Sequence, residues 1–205
     1  MTEAHFYEPA AGHRLPHDPF KAIVAPRPIG WIGTVSAAGV PNLAPYSFFN
    51  AVCDSPPMIA FSSSGWKHSV ANAEATRAFS WSLATRPLAD AMNATSSGAG
   101  EEVDEFVLAG LDPAASRLIA APRVAASPAS FECRVASVTR LIAADGRTLD
   151  QWLVVGEVVG VHIDTAFLVD GLFDTAAARP IMRAGYVADY AEIGRDAMFT
   201  LRRPR

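Results

Sequence analysis

Apolar and polar positions alternate along this chain in short runs, and a period of two recurs more often than the helical period. Gly30 to Ser36 (GWIGTVS) is rich in β-branched and aromatic residues and stops at the turn Ala37-Ala38-Gly39, which predicts a strand. Val40 to Tyr46 predicts the returning strand, and Pro41 and Pro45 place it at an edge or a bulge. Pro57 to Phe61 is a short apolar run between prolines and serines, as a buried strand would be. Ala78 to Leu83 alternates large apolar with small polar residues and predicts a half-buried strand. Two longer runs follow, Ser130 to Ala143 and Gln151 to Phe167. The Asp-Gly pair within Ala144–Arg147 makes them a hairpin, and Gly156 and Gly160 require its second strand to bend.

Helical signals are few. His68 to Thr76 (HSVANAEAT) predicts a short helix with Ser69 near its N-terminus. Pro87 suits the first position of a second one, Leu88 to Thr95. Leu118 to Arg123 reads as a short helical or extended piece, and Tyr190 to Met198 as helical. The first twenty residues are irregular, and Ser96 to Glu105 (SSGAGEEVDE) is a polar loop long enough to be functional. About six strands with two or three small helices between them imply a mainly β, antiparallel barrel. A doubly wound sheet would need regular crossover helices, and they are missing. With no repeat or linker, the 205 residues read as one domain with a core over about 21–190.

Composition narrows the function classes. Half the residues are hydrophobic and 19% charged, enough for a core, and the formal net charge of -4 argues against a nucleic-acid partner or a polybasic membrane contact. Cys53 and Cys133 lie far apart and read as small buried thiols in a reducing compartment. The N-terminus has neither the basic start nor the apolar run of a signal peptide, and no stretch is long and apolar enough to span a membrane, so a cytoplasmic location is expected. The five histidines show no ligand spacing, so no metal is expected. No GxSxG, HExxH, phosphate-binding P-loop or dinucleotide glycine motif occurs. Any difficult chemistry therefore falls to a cofactor.

Uncharged polar residues stand out instead. Thr34, Ser36, Asn42, Ser47, Asn50, Ser62, Ser63 and Ser64 lie on or beside otherwise apolar strands. Either they face water on an amphipathic sheet, or they pair with the polar edge of a bound heterocycle. Lys67 and Ser69 place a cation and a hydroxyl at a helix start, which suits a phosphate, although a surface lysine there is common.

The segment Arg27 to Ser64 (RPIGWIGTVSAAGVPNLAPYSFFNAVCDSPPMIAFSSS) resembles the opening of the flavin reductase-like domain family, which includes flavoredoxins. KHSVANAEATRAFSWSL, EEVDEFVLAGLDP and VVGEVVGVHIDTAFLVDGLFD resemble its later segments, so the likeness spans about residues 26–190. It implies a six-stranded Greek-key split barrel and a homodimer with two FMN sites at the subunit interface. Carried over by position, Tyr46, Ser47, Phe48, Phe49 and Asn50 line the isoalloxazine, and Thr34 and Ser36 lie beside it. Ser62, Ser63 and Ser64 border the ribityl chain, and Lys67 and Ser69 hold the phosphate. The family's common Asp-Thr pair is here His68-Ser69, and the histidine offers a third donor.

His162 falls where relatives carry a strand histidine near the open face of the flavin. It is the candidate catalytic residue, for nicotinamide or substrate contact; a barrel-lining histidine bonded to a neighbour is the alternative. Arg183 and Tyr186 close the site from the C-terminal segment, and Glu105 and Phe106 approach from the loop. The implied activity is hydride transfer from NADH or NADPH to FMN, then electron donation to a flavin-dependent monooxygenase or redox protein. The alternatives are an electron-transfer flavoprotein reduced by a protein partner and a barrel holding a different ligand, such as a haem on His162.

Overall fold

The computed structural model describes residues 4–98, 100 and 102–204. Residues 1–3 of the irregular N-terminus and residues 99 and 101 of the polar loop lie outside that set. Seven strands form one antiparallel sheet: β1 (Gly30–Val35), β2 (Pro41–Tyr46), β3 (Phe49–Asp54), β4 (Pro57–Ser64), β5 (Ala78–Ser82), β6 (Ala129–Ile142) and β7 (Thr148–Ile163). Their order is β2-β1-β5-β6-β7-β4-β3. Six strands were expected; the additional one is β3, whose residues are almost all exposed and carry no period-two signal.

The two edge strands, β2 and β3, are joined by only Ser47 and Phe48. The chain thus steps from one edge of the sheet to the other within two residues, and the sheet must curl on itself to allow it. The Ser62 amide donates to Phe48 O at 2.8 Å, and the Tyr46 and Phe61 rings meet at 4.8 Å across this corner. This is a split barrel, with β2 at an edge as its prolines require.

Inside it Ile32, Phe61, Phe79, Val135 and Val154 form the main apolar cluster, together with Val70 and Ala73 of helix α1 (His68–Thr76). A second cluster of Trp31, Leu43, Met92, Phe106, Val124 and Ile181 lies under the loops. Strand β5 is buried on both faces rather than half-buried. Its outward hydroxyls are roofed by the 115–124 segment: Ser80 Oγ donates to Pro122 O at 2.5 Å, and Ser82 Oγ accepts from the Val124 amide at 3.1 Å.

The second predicted helix is a 3-10 turn at Arg86–Leu88 followed by Ala89–Ala94. Residues 118–122 are irregular, and only Arg123–Val124 is extended. The tail is not helical over 190–198: Tyr190–Glu192 pairs with Ile181–Arg183, which pairs in turn with Arg27–Pro28, and only Arg195–Ala197 makes a 3-10 turn. Cys133 is buried as expected, but Cys53 is exposed on β3. No helix among the described residues is long and apolar enough to cross a membrane.

The β6–β7 hairpin slips register between Val155 and Gly156 and again between Val158 and Gly160, the two glycines that predicted a bend. A Cβ on Gly156 would stand 2.4 Å from Phe79 Cε1, so the ring occupies the space a side chain would need. Gly156→Ala should therefore overpack the core and cost about 1–3 kcal/mol in urea unfolding. An unchanged midpoint would show that Phe79 yields freely.

Candidate functional site

A buried polar network ties β1, β2 and α1 together. Asn42 Nδ2 donates to Thr34 Oγ1 at 3.2 Å and to Ser69 Oγ at 3.0 Å, and Asn72 Nδ2 also reaches Thr34 Oγ1 at 3.2 Å. The Tyr46 hydroxyl bonds with the Ser69 and Ser63 side chains, and Ser63 Oγ donates to Gly65 O at 3.0 Å. Burial pushes the Tyr46 phenol up; the Ser69 and Ser63 hydroxyls pull against it. Thr34 and Ser63 have no exposed surface, so they act through Asn42, Tyr46 and Ser69 rather than from the cleft wall.

Those last three open onto a cleft of about 430 Å³ lined also by Trp66, Lys67, His68, Glu105 and the 95–98 segment. Helix α1 starts here with no side-chain cap, leaving its positive end turned to the cleft. Trp31 Nε1 donates to Thr95 Oγ1 at 3.0 Å and fixes one end of the 95–98 wall. Glu105, the one acid among the described lining residues, is buried and accepts from the Leu43 amide at 3.1 Å. Burial pushes its carboxyl up, and the Leu43 amide and His68 partly reverse this.

The cleft adjoins a second depression at the Tyr46–Ser47 peptide. That groove, about 350 Å³, is lined by Ser47, Phe48, Phe49, Asn50 and Ser62 with Arg27, Pro26, Pro28, Val52 and Leu153. Ser62 Oγ accepts from Gln151 Nε2 at 2.6 Å. Ser64 is exposed at the end of β4. Ser36 lies in neither depression; its Oγ accepts from the Val40 amide at 3.1 Å and holds the β1–β2 turn.

Within the chain, His162 and Arg183 are not brought to these walls. His162 opens onto a separate cleft of about 630 Å³ with Arg117 and Arg123. Its Nε2 lies 2.5 Å from Glu132 Oε1. Glu132 is 1% exposed and also accepts from the Arg117 amide at 2.8 Å and the Leu118 amide at 2.6 Å. Burial raises its carboxyl, but the Arg117 amide, His162 and the Leu118 amide outweigh that, leaving it below the ordinary carboxylate range. A carboxylate only accepts, so His162 uses Nε2–H here and keeps Nδ1 for another partner.

Arg183 sits on the C-terminal strand opposite Arg27, a residue that sequence reasoning missed and that lines the apolar groove. Glu132 was missed as well. Its signal was present, since a carboxylate between Phe131 and Cys133 in an apolar strand has to be explained. Among the described residues no group of His, Cys, Asp and Glu could hold a metal ion.

The sequence matches the flavin reductase like domain over residues 24–176. It is 33% identical to an uncharacterized protein of Aquifex aeolicus over 179 residues, covering 83% of this chain and 88% of that one. Its fold is similar to nitrilotriacetate monooxygenase component B of Bacillus cereus, at 26% identity and a TM-score of 0.86 over 98% of this chain and 100% of that one. Flavoredoxin of Desulfovibrio vulgaris (Miyazaki F) shares the fold at 24% identity and a TM-score of 0.75, over 87% and 91% of the two chains.

Glu132→Gln puts an amide group against N–H donors the carboxylate now accepts, and should cost about 2–4 kcal/mol at neutral pH. Because the carboxyl is depressed in the folded state, its stabilisation is present above the ordinary carboxylate range and is lost as pH falls through the folded value. Denaturant unfolding across pH should show the gap between wild type and variant narrowing in acid; a gap independent of pH would contradict this.

Proposed function

As this chain belongs to the flavin reductase like domain family, we propose that it is an FMN-binding, NAD(P)H-dependent flavin reductase. The observation that carries the reading is the junction at Tyr46–Ser47. On one side lies an apolar groove edged by Ser47, Asn50 and Ser62, and on the other an uncapped helix start with Lys67 and Ser69. A planar amphipathic ring joined through a polar chain to a phosphate has this pattern of needs. When bound, FMN supplies a ring that accepts a hydride and passes electrons onward.

The chain's own residues would do the rest. Phe48, Phe49, Val52 and Leu153 shield the ring from water, while Ser47, Asn50 and their backbone groups meet its polar edge. Ser62 borders the ribityl chain, with Ser64 at the strand end beyond it. Lys67, the Ser69 hydroxyl and the first-turn amides of α1 hold the phosphate. Thr34, Ser63 and Tyr46 keep Ser69 in place, and Ser36 fixes the turn behind them. Phe48 and Val52 leave apolar surface exposed beside the groove, which a homodimer would cover. In this reading the dimer also brings His162, oriented by Glu132, to the nicotinamide or substrate.

The likeness to a monooxygenase component B supports onward delivery of electrons to a flavin-dependent monooxygenase. The second reading, an electron-transfer flavoprotein reduced by a protein partner, draws on the fold shared with flavoredoxin. An anaerobic visible spectrum before and after NADH, then NADPH, separates the two. A reductase is yellow, or turns yellow with FMN, and is bleached by at least one nucleotide. A yellow protein that both nucleotides leave oxidised would transfer the assignment to the carrier, and failure to bind FMN would overturn both.

A further inference from the structure

Two arginines stand opposite one another where the N-terminal segment meets the C-terminal strand. Arg27 and Arg183 are register partners in an antiparallel pair, which places their Cβ atoms about 5 Å apart. Like charges directly opposite are unfavourable unless something offsets them. Nothing in the described residues does. Arg27 Nη1 donates to the carbonyls of Lys21 and Val24, the latter at 2.5 Å. Arg183 reaches the Tyr190 hydroxyl at 3.3 Å and the carbonyls of Tyr186 and Val187 at 3.3 and 2.7 Å. All of these are neutral acceptors, and neither guanidinium forms an ion pair among the described residues. Both Nε atoms are buried without a hydrogen-bond partner. A buried guanidinium lowers its cost by meeting an anion, and here two cations share one such need.

Between the segments these arginines hold lies a cleft of about 590 Å³, lined by His17, Lys21, Arg183 and Tyr186. Its one acid among the described lining residues, Asp18, accepts from the Phe20 amide through Oδ1. The His17 and Tyr186 rings stand 5.8 Å apart, and Tyr186 is 46% exposed, so a flat surface is offered beside the cations. Cations that want a phosphate, next to rings that can stack on a base, describe the needs of a nucleotide. Arg27 lines the proposed flavin groove as well, so the cleft and the groove share that residue.

We propose that this cleft takes the phosphate-bearing half of the electron-donor nucleotide, with Arg183 and Lys21 on its phosphates, Arg27 behind them, and Tyr186 and His17 against its base. The assignment deepens the reductase reading and rests on it. Arg183, expected from the family likeness to close the flavin site, is here a residue of the donor site.

Calorimetric titration of the FMN-loaded protein with ADP and with adenosine tests the site without turnover. ADP should bind at least tenfold more tightly than adenosine, lose affinity with added salt, and compete with NADH. Arg183→Gln should lower ADP affinity at least tenfold, and Arg183→Lys should recover part of it. Should Arg183→Gln fail to fold, Lys21→Gln at the cleft rim provides the second test, with a several-fold loss expected. No ADP binding, wild-type ADP affinity in the variants that fold, or ADP binding that does not compete with NADH would each overturn the proposal. Bleaching of the same samples by NADH reports separately on the reductase reading, which can stand when this inference falls.

Discussion

The side chain of Asn42 is the point on which this structure turns. Its amide group donates to Thr34 on β1 and to Ser69 on α1, so one residue of an edge strand satisfies hydroxyls on two other elements. Buried polar groups are costly unless paired, and a partly satisfied network costs more than an apolar one. Tyr46 and Ser63 extend the same network to the corner where the two edges of the sheet meet. The position of the helix start relative to the corner is therefore set by hydrogen bonds. Apolar packing alone would leave it free to slide. The two depressions proposed for a flavin depend on that fixed offset.

Glu132 plays a comparable part at the other end of the molecule. It anchors the 115–124 segment through two amides and orients His162 through a third bond. The same segment roofs β5, which converts what would be an exposed strand face into a buried one. Thus a charged residue inside a strand links the cover of the barrel to the orientation of a candidate catalytic ring.

Much of this was legible in the residues. The hairpin with its two bending glycines, the proline-marked edge strand and helix α1 follow from local period and turn chemistry, which do not need the rest of the chain. What was illegible depended on distant partners. β3 has no pattern because it is an edge strand with little burial, and β5 looked half-buried because its roof comes from about forty residues later. The polar residues gathered as one candidate site divide by burial: Thr34 and Ser63 are structural supports, Ser47 and Asn50 face a groove, and Ser36 holds a turn. Period and composition cannot separate these roles, since a serine that faces a ligand and one that satisfies a buried amide are the same residue. Arg27 and Glu132 were detectable only as charges in places that disfavour charge.

The central claim is that the helix start at Lys67–Ser69 and the adjoining groove together select a phosphorylated flavin. Fluorescence titration of the flavin-free protein with FMN and with riboflavin tests it most directly, because the two ligands differ only in the phosphate. The account predicts that FMN binds at least tenfold more tightly and that the difference shrinks with rising salt. Equal affinity for the two flavins would contradict it.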